Sequence, residues 1–257
     1  MSNRAPEAMI FDLDGVITLT ARVHAAAWKE LFDQYLQKRA PRFHQPFREF
    51  TESDYLNYVD GKPRYDGVAS FLASRGVEIA YGTPSDPPGV ETVCGLGNQK
   101  DDLFLEKVRE LGVDVDQEAV RFVRDLREQH VRVGVASSSR NAVPILERAG
   151  LRGMFHAIVD GVISERVHLR GKPEPDIFLR CLTELTSNGN PENAGIAEDA
   201  IAGVEAGQRG GFGLVLGVDR RNTGMLEQNG ANLVIRDFSE IDADRVFTFF
   251  ANRARAA

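Results

Sequence analysis

The chain has 257 residues, 42% of them hydrophobic and 27% charged, with a formal net charge of −7. That length buries a full core, as one large domain or two unequal ones. An acidic balance with no long basic block argues against general nucleic-acid binding, and no apolar run approaches the roughly 20 residues of a membrane span.

The start of the chain, Met1 to Glu7, is polar and carries no apolar signal core. Ala8-Met9-Ile10-Phe11 then reads as a short buried strand. Asp12-Leu13-Asp14-Gly15 follows it. Side chains two apart in extended chain share a face, so Asp12 and Asp14 point together, and Gly15 permits an immediate turn. Ala21 to Arg39 reads as a helix with Trp28, Leu31, Phe32, Tyr35 and Leu36 on one face, His24 one turn earlier and Pro41 as its stop. Trp28 is assigned to the core. From Phe43 to Gly112 no strand is convincing. Tyr65 to Ser74 and Asp101 to Leu111 look helical, and the Pro- and Gly-rich stretch Gly82 to Gly97 reads as a long loop. Residues 20–113 are therefore expected to form a helical insertion that splits a core made of 1–19 and 114–257.

From Asp116 onward helix and strand alternate. Helices are expected over Glu118–Gln129, Asn141–Ala149, Pro173–Leu185, Ala200–Arg209 and Thr223–Asn229. Strands are expected over Val131–Ala136, Phe155–Val159, Ala194–Ala197, Phe212–Val218 and Leu233–Ile235. This alternation predicts an α/β fold with a doubly wound parallel sheet. Gly210-Gly211-Phe212-Gly213 precedes a strand, so it reads as a helix end plus turn and not as a dinucleotide loop. The two cysteines, Cys94 and Cys181, have no His/Cys cluster around them. No disulfide framework or thiol metal site is expected, and a reducing, cytoplasmic setting is.

Polar residues recur at the strand ends. Ser137-Ser138-Ser139-Arg140-Asn141 follows one strand, Glu198-Asp199 follows another, and Gly171-Lys172-Pro173 opens a helix, with Pro173 suited to its first turn. Each has an ordinary reading: an Asx turn, a serine N-cap, a solvated lysine, an acidic cap. Together they converge on one edge of a doubly wound sheet, where such sheets place ligands. They supply a nucleophile, a proton donor, phosphate ligands, a balancing cation and hard oxygen donors for a metal.

This ordered set resembles the haloacid dehalogenase superfamily of phosphotransferases, with the insertion where that family carries its helical cap. Asp12 to Thr18 with Thr20, His24 and Ala27-Trp28-Lys29, Ser137 to Asn141, and Lys172-Pro173 with Pro175-Asp176-Ile177-Phe178 resemble the β-phosphoglucomutases within it. Asp60-Gly61-Lys62-Pro63-Arg64 and Gln99-Lys100-Asp101-Asp102 fall where those enzymes hold a substrate loop and a cap lysine. Three departures touch cap closure and substrate choice: Leu19 in place of an acid beside the hinge, Arg140 in place of a lysine, and a longer loop at 82–97.

The resemblance implies interconversion of β-glucose 1-phosphate and glucose 6-phosphate through a bisphosphate, with Mg²⁺ as cofactor and a small sugar phosphate as the only partner. A cytoplasmic monomer is expected, with an oligomer left open. Asp12 would be the nucleophile and Asp14 the general acid and base. Asp12, the Asp14 carbonyl, Asp199 and Glu198 (directly or through water) would hold the metal. Ser137 and Lys172 would hold the transferring phosphate, and Arg64 with Ser139, Arg140 and Asn141 a second one. Gly61, Lys62 and Lys100 would bind substrate, and His24 would either hydrogen-bond Asp14 or serve as a packed helix histidine. The competing readings are a sugar-phosphate phosphatase, a phosphonoacetaldehyde-type hydrolase and a catalytically silent sugar-phosphate sensor. The hydrolase needs a Schiff-base lysine among Lys29, Lys38, Lys62 and Lys100, and nothing in the sequence marks any of these as desolvated. A sensor has no need of an intact nucleophile.

Overall fold

Each strand of the sheet is a short apolar run, and the central ones are buried along their whole length. The structure is a computed structural model and describes residues 6–44 and 46–256. Most of the polar start, residues 1–5, lies outside them. Strands β1 (Ala8–Phe11), β2 (Arg132–Ala136), β3 (Ala157–Val159), β4 (Ala194–Glu198), β5 (Leu214–Val218) and β6 (Leu233–Ile235) form one sheet in the order β3-β2-β1-β4-β5-β6. Every pairing is parallel. Parallel strands covered on both faces read as continuous apolar runs, which is why they stand out in the sequence. The order turns back at β1, between β2 and β4. Phe11 sits opposite Val135 and Ala197, so Asp12 comes level with Ala136 and Glu198.

Contacts divide the chain into two compact units, Met1–Leu19 with Asp114–Ala257, and Thr20–Val113. In the first, helices Asp176–Leu185 and Ile201–Arg209 cover one face of the sheet. Their Phe178, Leu182 and Val204 pack with Ile10, Ile196 and Val215. Helix Gln117–Glu128 contributes Phe122, which meets Phe11 edge-on at 6.0 Å and Phe238 at 5.6 Å. The chain leaves this unit at Leu19, whose N–H donates to the Asp114 carbonyl at 2.9 Å, while Thr18 bridges to Val115.

The second unit is helical: Ala21–Arg42, Arg64–Ser74 and Val93–Leu111, with a short π-helical turn at Tyr55–Val59. Its core is an aromatic cluster in which the Phe32 ring lies 5.2 Å from Trp28 and from Phe50 and 4.1 Å from Phe71, geometry that adds to plain area burial. Trp28 is core here, 3% exposed. Among the described residues no helix is long and apolar enough to cross a membrane.

Several boundaries differ from the sequence reading. The first helix runs through Pro41 to Arg42, because a proline in the last turn forfeits one backbone bond and blocks nothing beyond it. The third helix starts at Val93, eight residues ahead of the expected start, so the loop is shorter. The Thr92 hydroxyl caps the helix by accepting the Gly95 N–H, and the glycines that read as loop lie inside it. Helix Asp176–Leu185 starts three residues later than expected, leaving Pro173 in the preceding turn. Helices Gly161–Arg166 and Ala243–Ala256 were not expected at all.

Asp54 closes a capping box with Thr51 and takes the Arg75 guanidinium at 2.7 Å. Burial alone would raise its pKa, but the Thr51 N–H and hydroxyl and Arg75 outweigh that and hold it below the usual value of 3.8. A depressed folded pKa gives stability that is present above the unfolded value and lost as pH falls through the folded one. The melting-temperature gap between wild type and Asp54→Asn should therefore be full at neutral pH and close below 3.8, as followed by circular dichroism.

Candidate active site

The carboxyl ends of β1, β2 and β4 are joined by one lysine. Lys172 Nζ donates to Asp12 Oδ1 at 2.6 Å and to Glu198 Oε1 at 2.5 Å, and lies 3.4 Å from the Ala136 carbonyl. Its side chain is fully buried, with the ammonium 4.7 Å from the Phe178 ring centre. Lys172 reaches this place from the turn ahead of its helix and not from the helix mouth. Asp12 Oδ2 accepts the Asp14 N–H at 2.8 Å, which locks the turn after β1. Glu198 Oε2 accepts the Ala200 N–H at 3.0 Å. Gly203 lies so close that any side chain there would strike the Glu198 carboxylate.

The electrostatics follow from burial of two acids against one cation. Burial raises the Asp12 carboxyl above its usual value, Lys172 opposes that, and Asp14 adds to it. Burial pushes Glu198 up to about 7, again against Lys172. Burial would lower Lys172, but Asp12 and Glu198 outweigh it and hold the ammonium above its ordinary range. The lysine is therefore a fixed positive charge.

Asp199 sits against the turn after Asp14: a Cβ at Gly15, whose φ is +96°, would collide with the Asp199 carboxylate. Only glycine allows both the backbone and the approach. Ser137 is buried and follows Ala136, whose carbonyl Lys172 touches. Its hydroxyl accepts the Ser139 N–H at 3.1 Å, and the Ser139 hydroxyl accepts the Asn141 N–H at 3.2 Å. These are the ordinary turn-forming bonds of serine, and each hydroxyl keeps its proton to donate. Asn141 precedes helix Ala142–Arg148 without capping it through its side chain. Arg140 turns to Glu165.

In the helical unit, Lys100 is 4% exposed, a burial its sequence context does not signal. Its Nζ stands 2.5 Å from His24 Nδ1 and about 5 Å from the ring centres of Trp28 and Phe104 (5.1 and 4.9 Å). An ammonium has only donors, so Nδ1 accepts and the proton of a neutral His24 ring sits on Nε2. That ring stacks on Phe104 at 3.9 Å. Arg64 pairs with Asp101 at 2.9 Å. Lys62 donates to the Ser70 hydroxyl at 2.9 Å, next to Gly61 in a left-handed turn.

A family model described as haloacid dehalogenase-like hydrolase matches residues 6–211. The chain belongs to that family. It is 42% identical over 239 residues to a β-phosphoglucomutase of Mycobacterium bovis, covering 91% of this chain and 90% of that one. It is 29% identical over 215 residues to a phosphorylated carbohydrates phosphatase of Thermotoga maritima, covering 82% and 85%. The crystal structure of a β-phosphoglucomutase from Clostridium difficile superposes with a TM-score of 0.76 at 24% identity, covering 97% and 99%, which shows a shared fold.

Within this haloacid dehalogenase-like core, four acids (Asp12, Asp14, Glu198 and Asp199) stand at one sheet edge with one buried lysine. The donors are all hard oxygen, and the excess negative charge suits a divalent cation. Among the described residues no three His, Cys, Asp or Glu side chains form a metal cage by themselves.

One residue the sequence reading missed braces this edge. Arg220 Nε donates to the Gly15 carbonyl at 3.2 Å, and its other arm pairs with Asp116 at 2.5 Å. Nothing around Arg220 in the sequence signals it, because both partners lie over a hundred residues away. Arg220→Ala should lower kcat roughly tenfold, about 1.4 kcal/mol in the barrier, with KM little changed. A kcat equal to wild type in an aryl-phosphate assay would remove Arg220 from the catalytic support.

Proposed function

We propose that this enzyme is a β-phosphoglucomutase that interconverts β-glucose 1-phosphate and glucose 6-phosphate through an aspartyl phosphate and a glucose bisphosphate. The observation that carries phosphotransfer is the buried contact of Asp12 and Glu198 with Lys172 beside the Asp14 turn. The mutase outcome is supported by 42% identity across nine-tenths of both chains.

Asp12 Oδ attacks phosphorus, forming a P–O bond as the bond to the sugar oxygen breaks. Asp14 gives that oxygen its proton and later removes the proton of the attacking hydroxyl. The attacking hydroxyl belongs to a glucose phosphate whose own phosphate sits at the other end of the sugar. Transfer from the aspartyl phosphate therefore gives the bisphosphate, and Asp12 then takes back the phosphate at the opposite position. Lys172 keeps Asp12 ionised, as a nucleophile requires, and with the Ser137 hydroxyl holds the transferring phosphate. Mg²⁺, held by Asp12, the Asp14 carbonyl and Asp199, would neutralise charge on the transferring group. Glu198, with both oxygens already accepting hydrogen bonds, fits the role of partner to Lys172 better than that of a direct ligand.

A mutase needs a second phosphate site for a bisphosphate that binds in two orientations. Arg64 is assigned to it, exchanging Asp101 for the phosphate, with Ser139 and Asn141. Arg140 joins only by leaving Glu165. Lys100, His24, Gly61 and Lys62 are assigned to substrate binding. Arg64→Ala should cut isomerisation by on the order of 100-fold, the scale of a lost charged hydrogen bond, while small aryl-phosphate cleavage changes little. Equal losses in the two assays would count against a second phosphate site.

The phosphatase relative keeps one rival in play: the same core with water intercepting the aspartyl phosphate. Phosphorus NMR with Mg²⁺, β-glucose 1-phosphate and a trace of glucose bisphosphate separates the two. Growth of glucose 6-phosphate without inorganic phosphate supports the mutase, and stoichiometric inorganic phosphate overturns it.

A further inference from the structure

We propose that the helical unit carries a ligand site of its own, built on Arg39, Arg48 and Arg75, that takes a nucleoside monophosphate: a phosphate ester bearing a flat ring. A cavity of about 360 Å³ opens there, walled by Leu36, Arg39, Phe47, Arg48, Arg75 and Val77. That volume lies in the range of small-molecule pockets, roughly 300 to 1,000 Å³. None of these six residues takes part in the chemistry assigned above.

The cations here exceed their counter-charges. Arg39 and Arg42 share the single carboxylate of Glu91, at 3.7 and 3.2 Å, and the Tyr35 hydroxyl donates to the same group. Asp54 answers Arg75. Glu49, next to Arg48 in the chain, is held by Lys29 at 3.0 Å. Arg48 makes no ion pair among the described residues. The Arg39 guanidinium lies over the Phe43 ring at 3.8 Å, and its buried Nε–H meets no hydrogen-bond acceptor. Guanidinium forks match phosphate oxygens in pairs.

The rest of the wall is apolar. Phe47 is 42% exposed, and Leu36 and Val77 line the same cavity. A bare phosphate has no use for such surface. A purine or pyrimidine ring does, because bases stack on aromatic and guanidinium planes with little regard to sequence. A nucleotide so held would tie together the end of helix Ala21–Arg42, the segment at 46–48 and the end of helix Arg64–Ser74.

The test is calorimetric titration of adenosine 5′-monophosphate into the full chain, beside glucose 6-phosphate and inorganic phosphate. The expected result is one saturable site for the nucleotide, at least roughly tenfold tighter than inorganic phosphate. Arg48→Gln and Phe47→Ala, both at exposed side chains, should each weaken it by about tenfold or more with unchanged aryl-phosphate turnover. Asp12→Ala should bind the nucleotide as wild type does, so this inference stands or falls apart from the catalytic one. No binding by wild type, binding kept in both Arg48→Gln and Phe47→Ala, or equal affinity for inorganic phosphate would each overturn it.

Discussion

Asp12→Ala loses turnover by on the order of 10⁵-fold or more, some 7 kcal/mol at about 1.4 kcal/mol per decade, and still folds. The size follows from the role: without the carboxylate no aspartyl phosphate forms, and neither Asp14 nor Lys172 can replace an attacking oxygen. The fold survives because burial already disfavours the ionised Asp12, and Lys172 keeps Glu198 as its counter-ion. Removing one acid leaves a buried ion pair, not an orphaned charge. Asp12→Asn should behave alike in rate, since an amide keeps the shape but is no nucleophile. The check is aryl-phosphate turnover beside a thermal melt. Wild-type turnover in a properly folded Asp12→Ala would end the aspartyl-phosphate mechanism.

The parts of this molecule that sequence made legible are those governed by local pattern. The strands are continuous apolar runs because both faces of a parallel sheet are covered, and β1 and β6 appear at their expected bounds. Asp12 and Glu198 were legible as neighbours because strand ends in such a sheet converge, whereas Lys172 joins them from a turn ahead of helix Asp176–Leu185. Features set by tertiary context were not. Helix Val93–Leu111 absorbs glycines that locally argue for a loop, because Thr92 caps it and neighbours pack close against them. Lys100 looks like any surface lysine until Trp28, Phe104 and His24 surround it. Arg220 meets Asp116 and Gly15 only through the fold. Arg140 carries a phosphate-binding position in the resemblance, yet a glutamate from helix Gly161–Arg166 holds it. No pattern in the chain announces that helix.

Lys172→Ala should be the most damaging single substitution, because it strikes stability and chemistry together. In the native protein one ammonium faces Asp12 and Glu198 from within a fully buried site. Taking it away leaves two buried carboxylates with no cation between them. Breaking such a pair costs about 3–5 kcal/mol, which for a domain of this size lowers the melting temperature by roughly 6–20 °C. Part of that loss is avoidable: Glu198 already sits near pH 7 in its titration, so it can take a proton. A protonated Glu198 restores a neutral neighbour but no positive charge on the phosphate, so turnover stays down by on the order of 10³-fold or more. The double variant Lys172→Ala/Glu198→Gln separates the two effects. It should recover part of the melting temperature, because one of the two uncompensated carboxylates is gone and only Asp12 is left, and none of the turnover. Coupling between the two sites is the quantity to read, since residues in direct contact depart from additivity. If Lys172→Ala melts with the wild type, the lysine is not the tie between the strand ends. If the double variant melts no higher than Lys172→Ala, charge is not what the lysine compensates, and its packing against Phe178 is the interaction that was lost.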